Sequence, residues 1–169
     1  MSLLVNNNPQ VLWHETIIEA EDRCDVTLEK NLEVYLASLL ARYTDKPALV
    51  KRLFAQAVMQ TVSKSEAERD ILLQQVGDEC LLFSGLFPRS ARKKHVNIKY
   101  FVDIGRTAYG TISSETSDLF GRLATKFVLL MDVLQSIRHN DDLLPLEAYE
   151  QWKAVGSQRA FKILQSYHK

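Results

Sequence analysis

The chain has 169 residues, and its 21 lysines and arginines are balanced by 21 aspartates and glutamates, so that its formal net charge is zero. Hydrophobic residues make up 46% of the sequence and charged residues 25%, which is typical of a globular protein. This composition excludes a disordered tail, a collagen-like chain and a disulfide scaffold, and one hydrophobic core suffices for a chain of this length.

The beginning of the sequence gives no targeting signal. Residues 1–5 form an apolar stretch that is too short for a signal peptide and has no basic residues before it. No window approaches the ~20 apolar residues that span a bilayer. We therefore predict a cytoplasmic protein without a membrane span, in which residues 1–10 are a flexible N-terminal arm and residues 11–169 are a single helical domain.

Low counts of glycine and proline, six and four, favour helices over strands and tight turns. Hydrophobic residues spaced by three and four predict a clear helix over 27–43, and a weaker helical stretch precedes it over 13–21. A third helix is predicted over 45–62, with Asp45 as its N-cap and Pro47 in its first turn.

Capping and stop signals set the limits of the next two helices. Ser63 and Glu66 match a capping box, and the helix that they begin is expected to end at Pro88. A basic loop over 89–97 then leads to a shorter helix over 98–112.

The C-terminal part is predicted to begin with the longest helix, over 115–139. Its apolar stripe, which steps by four and three, consists of Leu123, Phe127, Leu130, Leu134 and Ile137, with Leu129 and Val133 beside it. Because this is more apolar surface than one neighbour can cover, we predict a central core helix and self-association of the domain as a homodimer. Pro145 begins another helix, Gly156 ends it, and Ser157 caps the last helix, which reaches Tyr167.

Only residues 96–102 alternate in a way that could suggest a strand, and they have no second strand to pair with. We therefore predict an all-α protein, a single domain of seven or eight helices packed as an irregular bundle.

Motifs of the common enzyme classes are absent from the sequence. It contains no GxxxxGK[ST] or GxGxxG phosphate-binding loop, no HExxH and no GxSxG nucleophile turn. Its four histidines are scattered, without a second histidine or cysteine at metal-ligand spacing. Cys80 lies in an apolar run and is predicted to be a small buried hydrophobe. We predict no catalytic residue, no metal site and no cofactor.

Charge is distributed unevenly along the chain. Residues 1–35 contain two basic and seven acidic residues, a local net charge of −5, whereas residues 89–106 contain six basic residues and one acidic residue, a local net charge of +5. The basic segment 89–99, followed by Tyr100 and Phe101, could bind nucleic acid, but the neutral balance of the whole chain disfavours this interpretation. A solvated loop that offsets the acidic N-terminal region is the favoured one.

Small residues mark two helix faces. One face consists of Gly77, Leu81, Ser84 and Pro88, and the other of Phe101, Gly105, Ala108 and Ile112. Each glycine inside a helix costs ~1 kcal/mol relative to alanine. Close packing of the two helices is the favoured interpretation, because two faces of small residues can approach each other closely. The alternative is that the glycines make room for a ligand.

The most suggestive stretch is 100–109, in which polar residues recur every three positions. They are Tyr100, Asp103, Arg106 and Tyr109. Together with Arg89 they could bind an anionic or polar ligand, with Arg106 as the charged anchor. The favoured interpretation is a half-buried network in which Arg106 pairs with Asp103 and fixes one helix on another.

Four stretches taken together resemble an uncharacterised family of small all-helical bacterial proteins. They are VYLASLL at 34–40, GDECLLFSGLF at 77–87, YFVDIGRTAY at 100–109 and YEQWKAVGS at 149–157. The resemblance covers residues 12–166 and implies one intact domain. The family has no established activity, cofactor or catalytic residue, so the resemblance implies none here.

These observations lead us to predict a non-enzymatic helical interaction or regulatory module, whose partner is another protein or a second copy of the chain. The first alternative is a small-molecule-binding or enzymatic domain with a polar site near Tyr100–Tyr109. The second is a nucleic-acid-binding protein that uses residues 89–99.

Overall fold

In the computed structural model, which describes residues 8–43, 65–88, 97–112, 118–137 and 143–167, the chain forms eight helices and no strand. The helices are α1 (Pro9–Cys24), α2 (Lys30–Tyr43), α3 (Glu66–Leu86), α4 (Ile98–Thr111), α5 (Leu119–Thr125), α6 (Phe127–Gln135), α7 (Pro145–Val155) and α8 (Gln158–Ser166). The prediction of an all-α irregular bundle is confirmed, and residues 98–102 of the possible strand are helical in α4. None of the described helices combines the length and the hydrophobicity needed to cross a bilayer.

The centre of the core is α6, which contacts α1, α3, α4, α5 and α8. The predicted stripe is buried, with at most 1% exposure, at Leu123, Phe127, Leu130 and Leu134. Val133 is buried too, and Leu129 packs partly buried against the core. The apolar surface on which the prediction of self-association rests is therefore covered within the chain.

Close packing joins α3 to α4. A Cβ atom at Gly77 would lie 2.5 Å from the ring of Tyr109, and a Cβ atom at Gly105 would lie 2.5 Å from the ring of Phe127 and 2.9 Å from the Cβ of Cys80. Any side chain at these glycines would force the helices or the rings apart. The favoured interpretation of the small-residue faces is confirmed, and Cys80 is fully buried as predicted.

The hairpin of α7 and α8 has the limits that local signals predict. Pro145 is the first residue of α7, and Gly156 ends it in the left-handed conformation, with a φ of 72°. The Ser157 hydroxyl accepts a hydrogen bond from the Ala160 N–H at the start of α8. This hairpin has a small apolar cluster of its own, formed by Leu143, Ala148 and Ala160, with Trp152, Ile163 and Leu164 packed against it.

At the N-terminus, α1 begins inside the predicted arm. Asn8 is the N-cap and Pro9 is the first helical residue, so the last two positions of the predicted arm belong to α1. Residues 1–7 lie outside the described residues. The predicted helix over 27–43 is found as α2, which begins at Lys30. The helix predicted over 45–62 also lies outside the described residues.

The start of α3 corrects the predicted capping box of Ser63 and Glu66. α3 begins at Glu66, and Ser65 is the N-cap, with its hydroxyl 3.3 Å from the Glu68 nitrogen. The same serine-to-glutamate spacing occurs two residues further on, at Ser65 and Glu68, and it is this serine that caps the helix. The helix ends at Leu86, two residues before Pro88, in agreement with the predicted stop.

The single helix predicted over 115–139 is wrong, because the chain bends at Lys126, which has a φ of −98° and a ψ of 16°. The first half, α5, contacts α2 and α4, whereas α6 packs mainly on α3 and α1. The bend lets each half follow its own neighbours, so tertiary packing overrides the continuous helical pattern. The two ends of the predicted helix, 115–117 and 138–139, lie outside the described residues.

Candidate functional site

α4 carries four of the five predicted site residues but does not bring them to one side. Tyr100, Asp103 and Arg106 are exposed, whereas Tyr109 is fully buried. Each step of three residues falls about 60° short of a full helical turn, so that after three such steps Tyr109 lies about 180° around the helix axis from Tyr100. The fifth residue, Arg89, lies outside the described residues.

Lys99, Tyr100, Asp103 and Arg106 form a solvent-exposed surface, called the α4 face below. The Lys99 Nζ lies 2.6 Å from the Asp103 Oδ2, so this carboxylate pairs with Lys99 and not with Arg106. Within the described ranges, Arg106 makes no ion pair and is exposed. The buried Asp103–Arg106 network is therefore not formed, and the ligand site stays a prediction.

A groove of about 460 Å³ opens between the start of α4 and α7. Asn97 and Ile98 line it on one side, and Tyr149, Glu150 and Lys153 line it on the other. Tyr149 is 43% exposed. The groove therefore offers an aromatic ring and both signs of charge at the N-terminal end of the α4 face.

The most connected polar group near α4 is Asp78, which is buried on α3. Its Oδ1 accepts hydrogen bonds from the hydroxyls of Tyr35 and Tyr109, each at 2.6 Å. The Arg42 Nη2 lies 3.4 Å from the Asp78 Oδ2, and the Gln74 side chain donates to the Tyr35 hydroxyl at 3.1 Å. This arrangement, the Asp78 centre, ties α2, α3 and α4 together.

Electrostatics in the Asp78 centre are dominated by burial. Burial raises the pKa of Asp78 to about 6, although hydrogen bonds from Tyr109 and Tyr35 and the charge of Arg42 act in the opposite direction. Burial and the nearby carboxylate raise the pKa of Tyr109 well above its usual value. The phenol therefore stays a hydrogen-bond donor at any physiological pH.

Glu79 adds a second buried carboxyl beside Asp78. The Gln75 amide donates to its Oε1 at 3.4 Å, but its Oε2 has no hydrogen-bond partner among the described residues. Burial, followed by the charge of Asp78, raises the pKa of Glu79 to about 7. Burial and both carboxylates also raise the pKa of Tyr43, at the end of α2, to about 12.

A second buried aspartate, Asp132 on α6, organises the C-terminal hairpin. Its Oδ1 accepts a hydrogen bond from the Ser157 hydroxyl at 2.5 Å, and its Oδ2 lies 3.4 Å from the backbone nitrogen of Arg159. The Arg159 guanidinium donates to the Ser136 hydroxyl at 3.1 Å. Burial raises the pKa of Asp132 to about 6, against the effect of these donors.

Two glutamines extend this Asp132 centre. Gln135 and Gln151 exchange hydrogen bonds between their amides, at 2.9 and 3.1 Å. Gln135 also donates to the Ser84 carbonyl on α3 and accepts from Arg159. The Asp132 centre therefore joins α3, α6, α7 and α8 through hydrogen bonds between buried groups.

Glu21, at the end of α1, is a fourth buried carboxyl. The Leu28 N–H donates to its Oε2 at 2.8 Å and thereby fixes the turn into α2. Burial, followed by a hydrogen bond to Glu33, raises the pKa of Glu21 to about 7. The described part of the chain contains no group of three histidines, cysteines or acids arranged to hold a metal ion.

Sequence reasoning does not single out the Asp78 centre. The available signal is the pair Asp78 and Glu79 inside the apolar run of 76–83, where two consecutive acids need partners. Those partners, Tyr35 and Tyr109, are 43 and 31 positions away. No short motif could identify them.

Comparison of the chain with family models, with curated proteins and with solved structures gives no match. The four stretches behind the family resemblance nevertheless converge on the two polar centres. The first three supply Tyr35, Asp78 and Tyr109, and the fourth supplies Gln151 and Ser157. Membership of the bacterial family itself stays a prediction.

Proposed function

We propose that this protein is a non-enzymatic interaction module of the bacterial cytoplasm and that its α4 face docks on a partner protein. The observation that carries the proposal is the position of Tyr100, Asp103 and Arg106 on the solvent side of a helix whose other side is fixed in the core by Gly105 and Tyr109. Tyrosine and arginine are the residues most enriched where protein interfaces derive their binding energy.

The surroundings of the buried acids support a structural role for them. Asp78 and Asp132 are at most 1% exposed, and donors from the same chain occupy both oxygens of each. A substrate would have to displace those donors and open the core before it reached either carboxylate. In our proposal, the Asp78 centre keeps α4 rigid so that its outer face is presented in one orientation.

Photo-crosslinking in cells tests the docking surface. p-Benzoylphenylalanine replaces Tyr100 in one chain and Tyr167, an equally exposed tyrosine after α8, in the control chain. We expect an adduct of defined mass that forms several-fold more from position 100 than from position 167. The adduct should disappear when the chain also carries Arg106→Glu. Equal labelling from both positions, or an adduct indifferent to Arg106→Glu, would overturn the proposal.

A second candidate function is the binding of a small polar molecule in the groove beside α4. The observation that favours it is the juxtaposition of Tyr149, Glu150 and Lys153 on one wall, which suits a zwitterion such as an amino acid. Thermal-shift measurements with the common amino acids test this function. A rise in melting temperature that Tyr149→Ala abolishes would support it, and no rise at millimolar ligand would contradict it.

A further inference from the structure

A row of three titratable side chains joins α1 to α2. His14 and Glu21 are seven residues apart on α1, which places them on the same side of the helix, about two turns apart. Glu33 of α2 lies between them: its Oε1 is 3.5 Å from the His14 Nε2, and its carboxyl lies within hydrogen-bond reach of the Glu21 carboxyl. These three side chains, called the α1–α2 row below, connect the two helices.

The contact between the two carboxyls needs a proton. Glu21 is 6% exposed, and its Oε2 accepts a hydrogen bond from the Leu28 N–H at 2.8 Å. Among the described residues, no N–H or hydroxyl group donates to its Oε1. Two carboxylates in contact repel each other, and burial strengthens the repulsion. The arrangement is therefore stable when one of the two carboxyls carries a proton and donates it to the other.

Four other charged groups lie near the row, on α1 and on the helices around it. They are Asp22 of α1, Arg122 of α5, Asp132 of α6 and Arg159 of α8. Asp22 adds negative charge at Glu21, whereas the groups from α6 and α8 act on Cys24 and the arginine of α5 pairs with Glu29. Within the row, His14 becomes positive on protonation and then attracts the Glu33 carboxylate.

We propose that the α1–α2 row is a clasp controlled by a proton. While Glu21 and Glu33 share a proton, the end of α1 is closed on α2 and the turn between the helices is fixed. When the proton is lost to water, two carboxylates meet and this end of α1 separates from α2 while the rest of the bundle stays folded. The α4 face takes no part, so the clasp does not depend on the proposed docking function.

The closed pair binds the proton more tightly than the open pair. In the closed pair, burial, followed by the contact with Glu33, raises the pKa of Glu21 to about 7, although the Leu28 N–H acts in the opposite direction. In the open pair the side chain is hydrated, and its pKa returns to about 4.3. Acid pH therefore favours the closed state, and the equilibrium constant for opening should rise at least about tenfold from about pH 5 to about pH 7.5.

Hydrogen exchange at the Leu28 amide tests the clasp, because this N–H donates to Glu21. NMR of the full chain gives protection factors, which are corrected for the intrinsic effect of pH, at about pH 5 and about pH 7.5. We expect protection at Leu28 to fall at least about tenfold between these values. At the higher pH it should also be lower than protection at Leu130, in the middle of α6, which reports on unfolding of the core.

Two conservative variants separate a shared proton from burial alone. Glu21→Gln keeps an acceptor for Leu28 and gives Glu33 a permanent donor, so protection at Leu28 should change by less than about threefold between the two pH values. Glu33→Gln donates to the charged form of Glu21, so it should also reduce the fall in protection. Glu15→Gln makes the same chemical change on the exposed side of α1 and is the matched control, which should behave like the original chain.

Three results would overturn the clasp. Equal protection at Leu28 and Leu130 at the higher pH would show that α1 opens only when the whole chain unfolds. An unchanged fall in protection in Glu21→Gln would show that the proton belongs to another group. A fall that Glu21→Gln abolishes but Glu33→Gln leaves intact would show that burial alone holds the proton on Glu21, without sharing. If Glu21→Gln does not fold, the Glu33→Gln measurement still decides.

Discussion

The Asp78 and Asp132 centres contain the same buried group, and burial raises the pKa of each to about 6, yet their surroundings differ. Around Asp132 the compensating cation is Arg159, which is only 6% exposed. Around Asp78 the cation is Arg42, whose side chain is 47% exposed, and the closest donors are two phenols. One centre is closed to water, and the other reaches water through its arginine.

The difference predicts which contacts the fold depends on. A charge without its partner is expensive in a closed site, whereas water replaces an exposed partner at little cost. The Asp132 centre also joins more elements, since it attaches the α7–α8 hairpin to the rest of the bundle. We therefore expect equivalent changes to be more destabilising around Asp132 than around Asp78.

The largest difference is expected between the two arginines. Arg159→Met should lower the free energy of unfolding by about 3 kcal/mol, because Gln135 and Ser136 lose a buried donor and Asp132 loses a nearby positive charge. Arg42→Met should lower it by less than about 1 kcal/mol, because water can reach the site that Arg42 leaves. Urea denaturation of both variants measures the two values. Equal losses of stability would mean that the exposure of the arginine does not determine how much it contributes to the fold.

A smaller difference is expected between the hydroxyl donors. Ser157→Ala should cost about 2 kcal/mol, because Ser157 both donates to Asp132 and caps α8. Tyr109→Phe should cost about 1 kcal/mol, because Tyr35 remains as a donor to the same oxygen. The same denaturation experiment ranks them, and a reversed order would contradict the comparison.

Four buried carboxyls predict an unusual pH dependence of stability. In the folded chain the pKa values of Asp78 and Asp132 are about 6 and those of Glu21 and Glu79 about 7, all above their unfolded values. The folded state then binds more protons than the unfolded state, so the free energy of unfolding falls as pH rises from about 4 to about 7. We expect the melting temperature to be about 5 °C higher at about pH 5 than at about pH 7.5.

Glu79→Gln isolates one of these groups. The amide imitates the protonated acid, so the variant should be about 1 kcal/mol more stable than the original chain at about pH 7.5 and no more stable at about pH 4. A destabilising effect of Glu79→Gln at neutral pH would mean that the charged carboxylate has a partner that stabilises it.

The smallest effect is expected outside both centres. Arg106→Met should change the free energy of unfolding by less than about 0.5 kcal/mol, because the side chain is exposed. Crosslinking of the α4 face to a partner protein should nevertheless weaken. A loss of several kcal/mol in stability would mean that Arg106 belongs to a structural network, which is the interpretation that the sequence favours.

Features that depend on residues close together in the sequence could be predicted, whereas features that depend on contacts between distant residues could not. Pro145, Gly156 and Ser157 act within a few residues, and they predict the limits of α7 and α8 correctly. The bend at Lys126 depends on what each half packs against, which a continuous apolar stripe cannot reveal. The three-residue spacing predicts the wrong side of α4 for Tyr109, because equal steps of three rotate steadily around a helix.

The tight glycine contacts restrict how this sequence can evolve. Cβ atoms at Gly77, Gly85 and Gly105 would lie 2.5 Å from Tyr109, Leu134 and Phe127 respectively. A larger residue at Gly77 is tolerated only if the tyrosine ring is reduced as well, and that loses the hydroxyl that Asp78 accepts. A single substitution at Gly77 is therefore destabilising, because the new side chain overlaps the ring of Tyr109. Homologues that carry a larger residue at position 77 should therefore also carry a smaller residue at position 109.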